Sequence, residues 1–450
     1  MRHFLGICLI VSTLSSSTFA QNAPPAQGRD LNTGQSYAIN ADPTKPPPRE
    51  WVDPDTGHRV VRLTDEPNSQ SLYFNYPSYS PDGKKMVFTS PSGIFQVDLE
   101  TRAINQVLTA TSTLQPGSVQ VRNNIIQVGL KTGKIFFTRT VVSAADSQGA
   151  GYNVSQDRGS ADRTVWWIDP VSKQEHKIGD LPINHNIGTV NADETLLGGA
   201  VTYLDGRGGA PTEQVRAAPG QRIDLNARWA QHLPMELLTM NVQTGALKTF
   251  NPSNDWDNHF LFSPTDPTLL MYCHEGPWWQ NDRIWLIHTD GTGLTKPHAR
   301  TMMNEIWGHE FWSADGKWIW YQLSYGGSGW VAGYNVDTHK RIWYLNPPNT
   351  GSIHVNVSKD GSLFAGDGNN GSKWVFLFTP TLTRNRATAY DAGDLIQPGR
   401  LTAERLVNMQ NHQYALEPNP SFTPDMKWIV FRSNMFGPSY VFMVEVAKAS

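Results

Sequence analysis

One phrase recurs along this chain of 450 residues. Tyr79 to Phe88 (YSPDGKKMVF), Phe262 to Tyr272 (FSPTDPTLLMY), Trp312 to Tyr321 (WSADGKWIWY), Val357 to Gly366 (VSKDGSLFAG) and Phe422 to Phe431 (FTPDMKWIVF) share one design. Each reads as a short strand, a turn rich in Asp, Gly and Pro, and a second strand of alternating apolar residues. Weaker copies lie around Asn123 to Thr138 and at Asn191 to Val201, which makes seven. A lone hairpin of this kind cannot bury both faces and must stack on its neighbours around a channel. The spacing leaves room for four strands per copy and predicts an all-β fold, a seven-bladed β-propeller over residues 51–450. After Thr423 the chain supplies only three strands, whereas His58 to Thr64 reads as a strand with no partner. This N-terminal strand is expected to join the last blade and close the ring, which removes its open edge.

The segment upstream of the repeats has a different character. Arg2 to Ala20 carries a basic start, an apolar stretch from Phe4 to Val11 and a small-residue exit at Thr18-Phe19-Ala20, the pattern of a cleaved signal peptide. The serines from Ser12 onward interrupt the run before it reaches the ~20 apolar residues of a membrane span. A periplasmic or secreted protein is therefore expected, with no membrane insertion after cleavage. Residues 21–50 include Pro24, Pro25, Pro43, Pro46, Pro47 and Pro48 with little apolar periodicity, and predict a poorly ordered arm. Cys8 falls inside the apolar stretch, so Cys273 alone remains in the mature chain. An intramolecular disulfide and a cysteine metal cluster are both excluded. With 37 Lys plus Arg against 40 Asp plus Glu, the charge is too balanced to hold a nucleic acid by bulk attraction.

The repeats also set a register. Four residues before Ser80, Ser263, Ser313, Ser358 and Thr423 stand Tyr76, His259, His309, His354 and Asn419. Strand direction places these positions at one end of the channel. One histidine there would serve as a strand cap, but three in successive blades point to a base or to metal ligands. The same rim is expected to gather His274, Glu275, Trp278 and Trp279 from CHEGPWW, and His412, Glu417 and Asn419 from NHQYALEPN. An insertion from Asp205 to His232 adds Arg207, Arg216, Arg222 and Arg228, and loops of that length in a compact domain are commonly functional. Indole faces suit sugar rings, although tryptophan in a propeller is more often core.

The segments CHEGPWWQNDRIWLIHTDGTGL, GHEFWSADGKWIWY and EPNPSFTPDMKWIVF resemble the oligogalacturonate lyases. That resemblance implies a seven-bladed propeller that cleaves short pectic fragments by β-elimination with a divalent metal, usually manganese. By position His259 matches the family's general base and His309 one of its metal-ligand histidines. Where the family carries two further ligand histidines, this chain has Glu417 and Asn419, and a family glutamine falls on Tyr414. The family's catalytic arginine is expected near Glu236, leaving Arg222 and Arg228 as the nearest cations. The implied site has His259, Arg222 and Arg228 as catalytic residues and His309, His412, Glu417 and Asn419 at the metal. Tyr76, His274, Glu275, Trp278 and His354 are left to contact substrate. An oxygen-rich ligand set suits Mn2+ first and Ca2+ second, and equally suits a chain that has lost its metal. The expected partner is an acidic oligosaccharide. Two other readings stay open: a non-catalytic envelope propeller that binds sugars or proteins, and a glycoside hydrolase using Glu275 and Glu417 as its carboxylate pair.

Overall fold

The same backbone bond closes the turn of every repeat. The N–H groups of Ser80, Gly129, Asn191, Ser263, Ser313, Ser358 and Thr423 donate to the carbonyls of Lys85, Lys134, Leu196, Leu269, Trp318, Leu363 and Trp428, all at 2.8–3.0 Å. In four copies the Ser or Thr hydroxyl also donates to the motif's aspartate, Asp82, Asp315, Asp360 or Asp425. Gly83, Gly316 and Gly361 follow with φ near +70°, a conformation glycine adopts without a side-chain penalty. The seven turns are thus one local solution used seven times. The computed structural model describes residues 27–30, 36–38, 46–110, 120–142, 162–204, 215, 223–384 and 395–449.

Each turn joins the first two strands of a blade. The first blade contains Gln70–Ser71, Lys85–Ser90, Gly93–Asp98 and Ile104–Thr109, and the second Gln120–Val128, Ile135–Val142, Asp162–Ile168 and Glu175–Asp180. The third is built from His185–Val190, Leu196–Thr202, Met235–Asn241 and Leu247–Ser253. In the fourth, Trp256–Phe262, Leu269–Glu275 and Ile284–His288 form three strands, and an isolated bridge from Leu286 to Thr295 marks the place of a fourth. Ile306–Trp312, Trp318–Tyr325, Ser328–Asn335 and Arg341–Leu345 make the fifth blade; Val355–Val357, Phe364–Gly366, Trp374–Leu382 and Ile396–Asn408 make the sixth. The seventh takes Ser421–Phe422, Trp428–Ser433 and Tyr440–Lys448 from the end of the chain. His58–Arg62 pairs antiparallel with Tyr440–Lys448, Val60 opposite Val444 and Val61 opposite Met443, and so closes the ring as expected.

The core lies between blades. Leu261, Met271 and Ile284 of the fourth blade pack on Trp307, Ile319 and Tyr321 of the fifth. Phe260, Phe262, Leu270 and Tyr272 pack instead with Ala200 and Leu237 of the third. Side chains alternate across a strand, so this split fixes the residues beyond Tyr272 as well. Cys273 and Glu275 share the face of Met271, while His274 follows Tyr272 to the other side.

Two described segments of the proline-rich stretch are short strands. Gln27–Asp30 pairs with Ser36–Ala38 and with Glu50–Val52, extending the last blade's sheet outward. Main-chain pairing at a sheet edge needs no apolar alternation, which is why composition alone misses it. The predicted leader, Arg207, Arg216 and Arg222 lie outside the described residues. Among the described residues no helix is long and apolar enough to cross a membrane.

Candidate active site

His259 and His309 occupy equivalent β-bulges. Pairing slips between Asn258 and Leu261 and again between Gly308 and Phe311, and the two histidines take φ of +49° and +53°. A bulge re-aims the side chain it carries. Asn419, the equivalent residue of the seventh blade, has φ +54°. Gly308 precedes His309 for a steric reason: a Cβ there would lie 3.0 Å from the Trp278 ring.

Around His259 the cup is held by charge. Its Nε2 lies 3.2 Å from Glu275 Oε2, and Glu275 Oε1 accepts from Arg283 Nη1 at 2.5 Å. Burial works to raise the Glu275 carboxyl, but the Arg283 guanidinium and the bond from His259 outweigh it and hold it far below the usual carboxylate range. Glu275 is therefore an acceptor at all working pH. It fixes the proton on Nε2 and leaves the Nδ1 lone pair of His259 as the basic atom. Arg283 is itself buried, stacked 4.6 Å from the Trp278 ring and 3.7 Å from Glu310 Oε1.

A second group stands across the cup. The His309 and His354 ring centroids are 4.6 Å apart. His309 Nδ1 meets Gln322 Oε1 at 2.7 Å, and the amide cannot flip because its Nε2 donates to Ser352 O. His354 Nδ1 lies 2.9 Å from Asp367 Oδ2, with the Asp367 Oδ1 accepting the His354 N–H. Burial drives both imidazoles down to about 3, so both are neutral at pH 7. Gln322 Oε1 can only accept, so His309 keeps its lone pair on Nε2; a cation on the His354 Nε2 would leave the Nδ1 proton to Asp367, whose carboxyl burial otherwise raises to about 8. That is the arrangement of metal-ligating histidines, which donate the other ring N–H to a carboxylate or carbonyl. His354 Nε2 is buried without a hydrogen-bond partner and faces Glu417 Oε2 at 3.8 Å. A cation placed between that nitrogen and the Glu417 carboxylate would pair with both. His354 and Glu417, with the His309 ring beside them, are the candidate ligands here, although the donor atoms of the three do not all come within 4.8 Å of one another in this structure.

Another set of close donors does not. Ligand atoms of His259, Cys273 and Glu275 lie within 4.8 Å of one another. Arg283 already engages two of the three, with Nη2 3.6 Å from the Cys273 sulfur and Nη1 on Glu275. A second cation would meet its full repulsion.

Other residues singled out from sequence stand elsewhere. His412 bonds Ser433 Oγ through Nδ1 and the Leu416 carbonyl through Nε2, so neither nitrogen is left for a metal. Asn419 Oδ1 accepts from the Phe74 N–H and its amide donates to the Glu417 carbonyl, which makes it a backbone brace. His274 points away from the cup, 3.5 Å from both Asp255 and Asp257, beside a separate cavity of about 480 Å³. Trp278 walls His309, with ring centroids 5.1 Å apart. Tyr76 packs in the apolar cluster of Trp307 and Leu261. Arg228 ends the short helix Leu225–Trp229, buried over the Trp256 ring at 4.9 Å with no ion pair among the described residues, and burial lowers it to about 10. Glu236 accepts from the Tyr203 hydroxyl. Missed from sequence were Arg283, Gln322, Asp367 and Tyr73, each brought to the site by a neighbouring strand or crossing loop.

The family profile described as oligogalacturonate lyase matches residues 231–450. That match makes the second half of the chain similar to the oligogalacturonate lyases. Every residue described above at the cup except Tyr73 falls in this matched segment. An oligogalacturonide lyase of Pectobacterium atrosepticum is 27% identical over 225 residues, covering 47% of this chain and 55% of that protein. An oligogalacturonate lyase of Dickeya dadantii is 29% identical over 220 residues with the same coverage. The chain therefore matches little more than half the length of these curated relatives. The fold likeness runs further. A solved oligogalacturonate lyase in complex with manganese superposes with a TM-score of 0.65 over 89% of this chain and 96% of that one, at 20% identity. An oligogalacturonate lyase of Vibrio parahaemolyticus gives 0.64 at the same identity and coverage.

Proposed function

We propose that the protein cleaves uronate-containing oligosaccharides, of the pectic class its relatives are named for, by β-elimination to a 4,5-unsaturated uronate. The observation that carries this reading is the pairing across one cup of an oriented base, His259 on Glu275, with a neutral two-histidine and carboxylate group. A C5 proton of a uronate is weakly acidic until the charge of the adjacent C6 carboxylate is masked. A divalent ion on His309, His354 and Glu417, Mn2+ first and Ca2+ second, would supply that masking and stabilise the developing enolate. His259 takes the C5 proton on Nδ1, and Glu275 stabilises the imidazolium that results. Arg283 keeps Glu275 ionised throughout.

A hydrolase would need Glu275 as acid or nucleophile. With Oε1 accepting from Arg283 and the Gly276 N–H and Oε2 facing His259 and the Cys273 thiol, that carboxylate has no proton to give and is turned away from a nucleophile's role. The leader supports a place for this chemistry in the periplasm or outside the cell, where short acidic oligosaccharides are its partners.

The test is to incubate purified protein with oligogalacturonates and Mn2+ and to follow the ultraviolet absorbance of the conjugated product. His259→Ala should lower turnover by at least ~100-fold with an unchanged melting temperature. Retained turnover would remove His259 from the mechanism.

A further inference from the structure

Elimination has a second proton to place. As the C4–O bond breaks, the departing sugar oxygen must receive one, and the arginine position expected for the family is occupied by Glu236. Resting on the reading above, we propose that Tyr73 donates the proton to the C4 leaving oxygen. Its ring lies between the two halves of the cup, with its centroid 6.4 Å from that of His259 and 5.1 Å from that of His354. Edge contacts with Phe74 at 4.8 Å and Tyr76 at 5.7 Å set its angle. No hydrogen bond of its hydroxyl is found among the described residues.

The other proton carriers at the cup are committed. His309 and His354 are engaged through Nδ1 with Gln322 and Asp367. Arg283 sits between Glu275 and Glu310, and Arg228 lies on Trp256. Tyr76 touches no cup histidine and packs among apolar rings. A phenol carries its proton at neutral pH by its ordinary chemistry, so Tyr73 enters the reaction as a donor.

The step balances within the cup. The C5–H proton goes to His259 Nδ1, and its electron pair forms the C4–C5 double bond. The C4–O bond breaks, and the freed oxygen takes the Tyr73 proton. Solvent then protonates the phenolate and deprotonates the imidazolium, restoring both residues.

The experiment compares two substrates on Tyr73→Phe. One is the parent oligogalacturonate, whose alkoxide must be protonated to leave. The other is a galacturonate bearing a para-nitrophenoxy group at C4, which leaves as a stable anion. Tyr73→Phe should lose ~10²–10⁴-fold in kcat/KM on the first and stay within about tenfold of the parent protein on the second. His259→Ala should lose heavily on both. Because the deciding quantity is a ratio on one preparation, a partly unfolded sample does not change it. Equal losses on both substrates, or none on either, would overturn the role of Tyr73 while leaving elimination in place. Failure of the unaltered protein to eliminate either substrate would overturn the proposed function itself, and this role with it.

Discussion

Neighbouring residues of one strand do unrelated work here. Glu275 faces the cup and orients His259, whereas His274, one residue earlier, faces the opposite side with Asp257. Period-two alternation was available in the sequence, since Met271, Cys273 and Glu275 must share a face, but a rim motif read as a cluster hides it. The far side makes a prediction of its own. Burial first and Asp255 second push Asp257 up to about 8, far above its ordinary 3.8. Between those values the folded chain binds a proton that the unfolded chain has released, so stability falls as pH rises across that window. Asp257→Asn cannot ionise and should remove this part of the slope. From pH 5 to pH 8 the variant should gain roughly 1–4 kcal/mol relative to the parent, at ~1.4 kcal/mol per pKa unit. Denaturant titrations at the two pH values check it, and parallel pH profiles for the two proteins would show that Asp257 ionises normally.

At the scale of elements, the hairpin turn and the bulge carry most of the architecture. Gly276 ends the strand Leu269–Glu275 with φ +138°, a conformation that L side chains rarely adopt. A Cβ there would overlap Asn281 Nδ2 and the Trp229 ring of the short insertion helix. Gly276→Ala should cost roughly 1–3 kcal/mol in stability and shift Glu275, its neighbour, off His259. The expected result is a lowered melting temperature together with a larger fall in turnover than that stability loss explains; unchanged values of both would show that the helix yields freely. The repeated turn was legible in sequence because its bonds span only five or six residues, and the closing strand because the last blade was one strand short. The partners of His309 and His354 were not. Gln322 lies in the next strand and Asp367 just past the end of it, 13 residues on in each case. Which side of that strand faces the histidine depends on where a bulge shifts the register. Glu417 was named from sequence as a metal candidate, but nothing in the sequence favoured His354 over His412 as its companion. Both ring nitrogens of His412 are spent on Ser433 and Leu416, a fact that only the packed loop supplies.

The whole ring gives the metal group its energetic meaning. His309 belongs to the fifth blade, His354 to the sixth and Glu417 to the seventh, so an ion held by all three fastens successive blades at the channel mouth. In a closed propeller each blade contacts only its neighbours, and a bond shared by three of them resists the opening of two interfaces at once. An ion that binds only the folded ring also stabilises it by mass action, about 2.7 kcal/mol at a hundredfold excess over its dissociation constant. Removing metal with a chelator should therefore lower the melting temperature by a few degrees, and adding Mn2+ should restore it. His354→Ala and Glu417→Gln should lose that metal-dependent shift, while His259→Ala should keep it, because His259 lies on the Arg283 side where a cation is repelled. Thermal scans with metal analysis of each sample give a readout independent of turnover. A shift that survives in His354→Ala and vanishes in His259→Ala would move the ion to the donors beside Cys273 and reverse the division of the cup into a basic half and a metal half.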